Sequence, residues 1–330
     1  MTSGRDISLD LMKAIGILSI IVGHYGMLRG VVYSFHVPLF FIIGGYVFRT
    51  KSIKEELITD TKRLLVPYVI TACVIALWKS IIDWRCGNIE AIQGEWLTAL
   101  LGCGLPQDMF LLGHCNQIGA IWFLPALFVC RMAYNALVQY ITGKWLTLTC
   151  LVLSIGSVLF YNHITPLPFD ILQGISMLLF YDFGCNLKKH GGWSKVPNWV
   201  YVLGLFIWIA AIYYSFMEIV ICNYRCYPLD VIGAICATCI IGRVAQIVAK
   251  LPQKWTGLFV WIGRSSLGLL CLHLIDLETN ILHKVLHHVT GSYYHNPILH
   301  CLVVIIVSCA LIYSYDFFKQ KYLLNKCKNS

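Results

Sequence analysis

The sequence has few charged residues. Asp, Glu, Lys and Arg make up 12% of the 330 residues, and the mean hydropathy is +0.72. A soluble globular domain carries about 25% charged residues, so this composition excludes a soluble enzyme and leaves no room for a sizeable soluble domain. The apolar residues occur in runs of about twenty, which is the length that a membrane helix needs. We therefore predict an all-α, polytopic membrane helix bundle that forms a single domain over 1–330.

The sequence also lacks internal repeats, low-complexity tracts and a dense metal-ligand pattern. Cys222, Cys226 and His114 do not have the close spacing of a zinc site, so no metal and no bound cofactor are expected. No small-residue cleavage site follows the first apolar stretch, which Asp10 and Lys13 interrupt. We expect that stretch to remain in the protein as a signal anchor.

The apolar runs predict about ten membrane spans, and an even number places both termini on one side. Of the 25 Lys and Arg residues, only Arg29, Lys79, Arg85, Arg225 and Lys284 fall on the other side. The positive-inside rule then places both termini in the cytoplasm. We expect the protein in the plasma or inner membrane. The net charge of +9 belongs to these loops, so we expect no nucleic-acid partner. The predicted spans are 9–29, 33–49, 64–83, 118–139, 145–161, 169–187, 198–216, 230–248, 257–277 and 297–317.

Fifteen cysteines are present, and most lie inside predicted spans, where Cys behaves as a small apolar residue. The sequence leaves the pairing of the others open, because an odd number in the outer loops permits at most two disulfides. These outer cysteines are Cys86, Cys103, Cys115, Cys222 and Cys226.

The first apolar stretch, SLDLMKAIGILSIIVGH at 8–24, carries three ionisable residues. At about 100° per residue, Lys13 and His24 lie within about 20° of each other on a helix, and Asp10 lies within about 40°. Ionisable groups in a membrane span usually face the bundle interior or a wet cavity. We interpret this stripe as the wall of an active site in which His24 does proton chemistry. The alternative is a structural, interhelical His24 with Asp10 and Lys13 at the headgroup level.

A second candidate site lies at the entrance to the third predicted span, where Lys62 and Arg63 directly precede Leu-Leu-Val-Pro-Tyr. Together with Arg49, this pair could bind an anion such as the phosphates of a nucleotide-bearing donor. The alternative is ordinary positive-inside signalling and attraction to anionic lipids.

Two further segments carry candidate binding residues. Trp122 could stack on a sugar ring, although an interfacial aromatic anchor is the commoner role. Ser266 and His273 are seven residues apart and share a helix face, but about 10 Å of helix separates them, so we predict binding roles rather than a catalytic pair. Arg264 belongs near the cytoplasmic end of the same span.

Several segments together resemble the acyltransferase 3 family of integral membrane O-acyltransferases, and most of all its fucose 4-O-acetylase-like branch. They occur in the family's order and cover nearly the whole chain in outline. The matching segments are SLDLMKAIGILSIIVGH at 8–24, FHVPLFFIIGGYVF at 35–48, KRLLVPY at 62–68, IWFLPALF at 121–128 and GRSSLGLLCLH at 263–273.

The resemblance implies roles for the residues of the first span. The family carries a basic residue at a fixed distance before a histidine, here Lys13 and His24, and the branch favours Asp10 and His36. Two positions depart from the family pattern. Gly44-Gly45 stands where Ser-Gly is usual, and Leu270 stands where Tyr often precedes the span-nine histidine.

The activity that the resemblance implies is transfer of an acyl group, most often acetyl, from cytoplasmic acyl-CoA to a hydroxyl of a cell-envelope or surface carbohydrate or glycolipid. Histidine is the side chain best suited to act as the base near neutral pH. We predict His24, Lys13 and Asp10 as catalytic residues. The predicted donor-binding residues are Lys62, Arg63, Arg49 and Arg264, and the predicted acceptor-binding residues are His36, Trp122, Ser266 and His273.

Direct transfer and an acyl-histidine intermediate both stay open. Two rival interpretations also remain. One is a proton-coupled transporter or flippase for a glycolipid or small solute, in which the same three ionisable residues form a proton relay. The other is a membrane domain that only senses or scaffolds. The predicted partners are acyl-CoA, the carbohydrate acceptor and the membrane lipids.

Overall fold

The computed structural model describes residues 6–109, 113–163, 167–290 and 297–328. All predicted site residues fall within these ranges, whereas 110–112 of the predicted outer loop and Arg5 lie outside them. In chain order the α-helices are α1 (Ile7–His24), α2 (Arg29–Tyr33), α3 (His36–Tyr46), α4 (Ile53–Asp60), α5 (Val66–Arg85), α6 (Ile89–Leu101), α7 (Phe123–Tyr140), α8 (Lys144–Phe160), α9 (Ile171–Ser176), α10 (Leu178–Lys189), α11 (Asn198–Tyr214), α12 (Tyr227–Val248), α13 (Gln253–Arg264), α14 (Ser266–Thr279), α15 (Ile281–Thr290) and α16 (Pro297–Lys328).

The all-α membrane fold is confirmed, but the number of ten spans is not. Among the described residues, five helical stretches are long and apolar enough to cross a membrane, and a sixth results if the bent pair α13–α14 counts as one span. The five are Ile7–His24, Ile53–Arg85, Gly119–Tyr140, Tyr227–Val248 and Pro297–Lys319. The helices α8 and α11 are apolar but shorter.

Three predicted spans differ in form from the helices that the structure contains. The predicted span 33–49 contains α3, whose 11 residues rise about 16 Å and fall short of a bilayer core of about 30 Å. The predicted span 169–187 is divided into α9 and α10 by a break at Met177. The predicted span 257–277 bends by 63° between Arg264 and Ser266.

Helix α1 lies at the centre of the bundle, because α3, α12, α13 and α14 all pack against it. It begins after Asp6, whose carboxylate accepts a hydrogen bond from the backbone N–H of Ser8 at 2.9 Å. The contact with α13 is so close that a Cβ at Gly263 would collide with the carbonyl group of Asp10. Small residues that let backbones approach closely are a usual means of association between membrane helices.

Two short antiparallel hairpins are the only strands in the described part of the chain. Strand β1 (Gln107–Met109) pairs with β2 (Gly113–Cys115), with Asp108 opposite His114. Strand β3 (Met217–Glu218) pairs with β4 (Asn223–Tyr224).

The five predicted outer cysteines form no disulfide within the described part of the chain. Cys103 and Cys115 are buried in one small cluster with Leu101, while Cys86 and Cys226 are exposed.

Candidate active site

One face of α1 connects two cavities of the bundle. Lys13 lines the first cavity, His24 lines the second, and Ile20 lines both. The spacing of these residues follows the helical repeat, so they share one face of α1. Along the helix axis, His24 lies about 16 Å from Lys13. We name the two cavities by their polar residues: the basic cavity contains Lys13, and the histidine cavity contains His24.

His24 is the last residue of α1 and contacts His273 on α14. Nδ1 of His24 lies 2.8 Å from Nε2 of His273, and the two rings stack with their centroids 5.1 Å apart. His273 is completely buried, whereas His24 is half-buried and reaches the histidine cavity. The two histidines therefore form a pair of which only His24 lines that cavity.

The contact couples the tautomers of the two rings when both imidazoles are neutral. At 2.8 Å one ring nitrogen must donate its proton and the other must accept it. If Nδ1 of His24 donates, then Nε2 of His24 is unprotonated and can accept a proton from a substrate. The proton of His273 then resides on its Nδ1, which has no hydrogen-bond partner among the described residues.

The histidine cavity has a volume of about 220 Å³ and is mostly apolar, with a few polar groups on its wall. His36 lies there on α3, and its Nδ1–H donates to the backbone carbonyl of Val32 at 2.6 Å. The neutral ring of His36 therefore has Nε2 as its acceptor nitrogen. The aromatic rings of Tyr33 and Trp122 line the same cavity.

A partly buried ion pair lies at one side of the histidine cavity. Nζ of Lys79 lies 2.8 Å from Oε2 of Glu278 and donates to the backbone carbonyl of Gln117 at 3.0 Å. Glu278 lies against Gly119, where the carboxylate would collide with any Cβ, and Gly119 has a φ of +73°. A residue other than glycine would thus be strained there and would displace the carboxylate.

The basic cavity has a volume of about 310 Å³ and lies at the other end of the α1 stripe. Asp60 is the one acidic residue in its lining among the described residues, and Ser266 contributes a hydroxyl-bearing side chain. The basic residues that line it are Lys13, Arg63, Arg131 and Arg264. The loop charge bias assigns all four to the side of the termini, so this cavity is the one that we expect to open toward the cytoplasm.

Arg131 of α7 holds two buried carboxylates of α4 beside the basic cavity. Its Nε donates to Oδ2 of Asp60 at 2.6 Å, and one terminal nitrogen donates to Oε1 of Glu56 at 2.7 Å. Nζ of Lys51 reaches the other oxygen of Glu56 at 3.2 Å. Glu56 and Asp60 are almost inaccessible, so each depends on its cationic partner for compensation.

The polypeptide at the entrance to the basic cavity has an irregular backbone. A π-helical turn, Thr61–Leu65, joins α4 to α5 and contains Lys62 and Arg63. Single π-helical turns of this kind often occur at functional sites. Arg63 lines the basic cavity, whereas Lys62 is exposed beside it.

The structure distributes the predicted site residues between the two cavities. His24, His36 and Trp122 line the histidine cavity. Lys13, Arg63, Arg264 and Ser266 line the basic cavity.

Four predicted site residues line neither cavity. Asp10 is buried and pairs through Oδ2 with Nε of Arg264 at 3.1 Å. His273 lies behind His24. Arg49 and Lys62 are exposed.

Several residues of the two cavities escape sequence reasoning. Arg131 is an arginine within the apolar run FLPALFVCRMAY, a signal that could have identified it. Glu278 and Tyr33 lie near span ends, where charged and aromatic residues are common and carry no specific signal. In the described part of the chain, no group of three or more His, Cys, Asp and Glu residues could hold a metal ion.

The long apolar helices, with ionisable groups buried among them, define a multi-pass membrane protein. The model of the acyltransferase 3 family, described as an acyltransferase domain, matches residues 6–316. The chain belongs to this family and is a membrane acyltransferase. The fucose 4-O-acetylase-like specificity stays a prediction. A comparison with curated proteins and another with solved structures each found no match.

Proposed function

We propose that the protein transfers an acyl group from cytoplasmic acyl-CoA to a hydroxyl of a cell-envelope or surface carbohydrate, with acetyl as the preferred acyl group. The observation that carries this proposal is the position of His24. Its ring faces the histidine cavity, its Nδ1 is engaged by His273, and its helix leads directly to the basic cavity.

The basic cavity supports a role in donor binding. Coenzyme A carries phosphate groups, and Lys and Arg side chains are the usual protein partners of phosphate. Lys13, Arg63 and Arg264 line this cavity, and Lys62 adds an exposed cation at its entrance. In this proposal the phosphates remain at the cytoplasmic mouth, while the uncharged pantetheine arm extends along the α1 stripe toward His24. Ser266, which lies in the same cavity, then belongs to the donor side.

The histidine cavity supports a role in acceptor binding. The rings of Tyr33 and Trp122 offer aromatic faces, while His36 and Glu278 offer hydrogen-bond acceptors for hydroxyl groups. A mostly apolar pocket with a few convergent polar groups is the usual form of a small-molecule site.

In the transfer step, Nε2 of His24 takes the proton of the acceptor hydroxyl, and the hydroxyl oxygen attacks the carbonyl carbon of the thioester. The new C–O bond forms, the C–S bond breaks, and the leaving thiolate takes the proton from His24, so that an ester and free coenzyme A result. Proton transfer by a positioned histidine contributes about 10²–10⁴-fold in rate. His273 accepts from Nδ1 of His24 and so orients the imidazole that gains positive charge in this step.

Asp10 and Lys13 act before the chemical step in this proposal. Lys13 orients the donor in the basic cavity, and Asp10 holds Arg264 at its rim through the 3.1 Å ion pair. Neither residue lies close enough along α1 to touch a carbonyl group at His24, because Lys13 is about 16 Å away along the helix.

The proposal is tested by labelled transfer in membranes that contain or lack the protein. Acetyl-CoA labelled in its acetyl group is added to the cytoplasmic face, carbohydrate is extracted, and mild alkali releases O-linked acetate. Alkali-labile label in carbohydrate only when the protein is present supports the proposal. Equal label with and without the protein, for succinyl-CoA as well as acetyl-CoA, contradicts it.

A further inference from the structure

Three apolar side chains line both cavities and separate them. They are Ile20 on α1, Phe123 at the start of α7 and Leu270 on α14. Their exposed fractions are only 5%, 7% and 5%, so little of each side chain is accessible from either cavity.

The three helices carry similar series of residues across this layer. On α1 the series runs from Lys13 through Ile20 to His24. On α14 it runs from Ser266 through Leu270 to Leu277. In both, the residue at the layer is apolar and the cavities lie on either side of it.

On α7 the series starts at the layer, with Phe123, and continues along the helix to Arg131 in the basic cavity. Phe123 is held in place by three edge-to-face contacts, with ring centroids 5.7 Å from that of Phe40, 5.6 Å from that of Phe41 and 6.5 Å from that of Trp122. Ile20 and Leu270 are aliphatic, and they have no comparable ring contacts. The layer therefore consists of one aromatic ring held by ring contacts and two aliphatic side chains.

From this arrangement, and resting on the proposed function, we propose that Ile20, Phe123 and Leu270 form an acyl gate that selects the acyl group by length. A charged phosphate cannot enter an apolar layer without a large desolvation cost, whereas a thioester and a short alkyl chain can. The gate thus keeps the nucleotide in the basic cavity and admits the acyl end of the donor. Since the acyl group and the acceptor hydroxyl must then share about 220 Å³, the gate favours short acyl groups.

Leu270 is the residue at which this inference is best tested. Ile20 is one helical turn from His24, and Phe123 is packed by three other rings, so substitutions there would disturb more than the gate. Leu269 is the matched control, since it is equally apolar, only 1% exposed and lines neither cavity.

The experiment compares Leu270→Ala, Leu270→Phe and Leu269→Ala with the unmodified protein in nanodiscs. Release of free coenzyme A from acetyl-, butyryl- and octanoyl-CoA is measured with methyl glycosides of neutral sugars as acceptors, and acetyl-CoA binding is measured separately. One extra or missing methylene group in a hydrophobic pocket alters discrimination by about 10–200-fold. Leu270→Ala is therefore expected to raise octanoyl relative to acetyl turnover by at least about ten-fold over Leu269→Ala.

Leu270→Phe is expected to slow acetyl transfer by about ten-fold while acetyl-CoA still binds, because the larger ring narrows the layer without touching the basic residues. If the alanine variants do not purify as folded protein, Leu270→Val and Leu269→Val give the same comparison. If the ratio of octanoyl to acetyl turnover is the same in the position-270 and position-269 variants, the gate proposal is overturned. Failure of the unmodified protein to release coenzyme A from any of the three donors would instead overturn the proposed function, and the gate with it.

Discussion

Nδ1 of His24 and Nε2 of His273 lie 2.8 Å apart, although 249 residues separate them in the chain. The contact joins the end of α1 to the middle of α14 and orients the only imidazole of the pair that reaches the histidine cavity. An imidazole oriented by a hydrogen bond on one nitrogen presents its other nitrogen to the substrate, which is the arrangement that general-base catalysis requires.

Replacing His24 by alanine should lower acyl transfer by about 10²–10⁴-fold, because no other group in the proposed mechanism takes the hydroxyl proton. The turnover number is measured on purified protein in nanodiscs with saturating acetyl-CoA. The matched control is His190→Ala, since His190 is an exposed histidine outside both cavities. Unchanged turnover in a folded His24→Ala protein would remove His24 from the mechanism.

Replacing His273 by alanine should lower the turnover number by about 10–100-fold through misplacement of His24, with acetyl-CoA binding unchanged. His273→Gln offers a side-chain carbonyl that can still accept from Nδ1 of His24, so it should recover much of the loss. Kinetics of both variants, together with their melting temperatures, test this. Equal activity of the glutamine and alanine variants would mean that His273 only fills space.

The double variant Lys62→Ala/Arg63→Ala should weaken acetyl-CoA binding by about ten-fold, equivalent to about 1.4 kcal/mol. Arg63→Ala alone should account for most of the loss, because Arg63 lines the basic cavity and Lys62 does not. Added salt should weaken binding to the unmodified protein more than to the double variant. Lys250→Ala serves as the control, because Lys250 is exposed, is predicted on the same side as Lys62 and Arg63, and does not line the basic cavity. An equal loss there would point to general surface charge.

Replacing Arg131 by methionine should destabilise the protein by about 3–5 kcal/mol, because it leaves the buried carboxylates of Glu56 and Asp60 without their main partner. Adding Glu56→Gln and Asp60→Asn should restore much of the stability, since the uncompensated charges then disappear. Thermal unfolding in detergent measures both effects. An Arg131→Met protein that melts with the unmodified one would show that the carboxylates have other compensation.

Replacing Glu278 by glutamine should raise the KM for the carbohydrate acceptor by about ten-fold, because it weakens charge-assisted hydrogen bonds in the histidine cavity. Acetyl-CoA binding should not change, since Glu278 does not line the basic cavity. Glu90→Gln, at an exposed glutamate of α6, is the control. A rise in the KM for acetyl-CoA instead of the acceptor would contradict this assignment.

The sequence by itself determines that the chain is a membrane protein and which residues share one face of α1. A low charged fraction and apolar runs of about twenty residues specify membrane helices, because only helices satisfy their backbone hydrogen bonds within lipid. The spacing of Lys13, Ile20 and His24 places them on one face for the same local reason, since helical periodicity depends only on the residues of one segment. Counting spans is less secure, because a short helix such as α3 and a break such as that at Met177 leave the apolar run unchanged.

Only the tertiary structure decides which residues of different helices meet. Where the helices cross determines the contact of His24 with His273 and the hydrogen bond from Arg131 to Asp60. It also determines that Ile20, Phe123 and Leu270 line both cavities. Crossing positions are set by close packing, such as that of Gly263 against Asp10, and by bends, such as the 63° bend between α13 and α14. A periodic pattern within one helix contains no information about its partner, so two cavities on one stripe emerge only once the bundle is assembled.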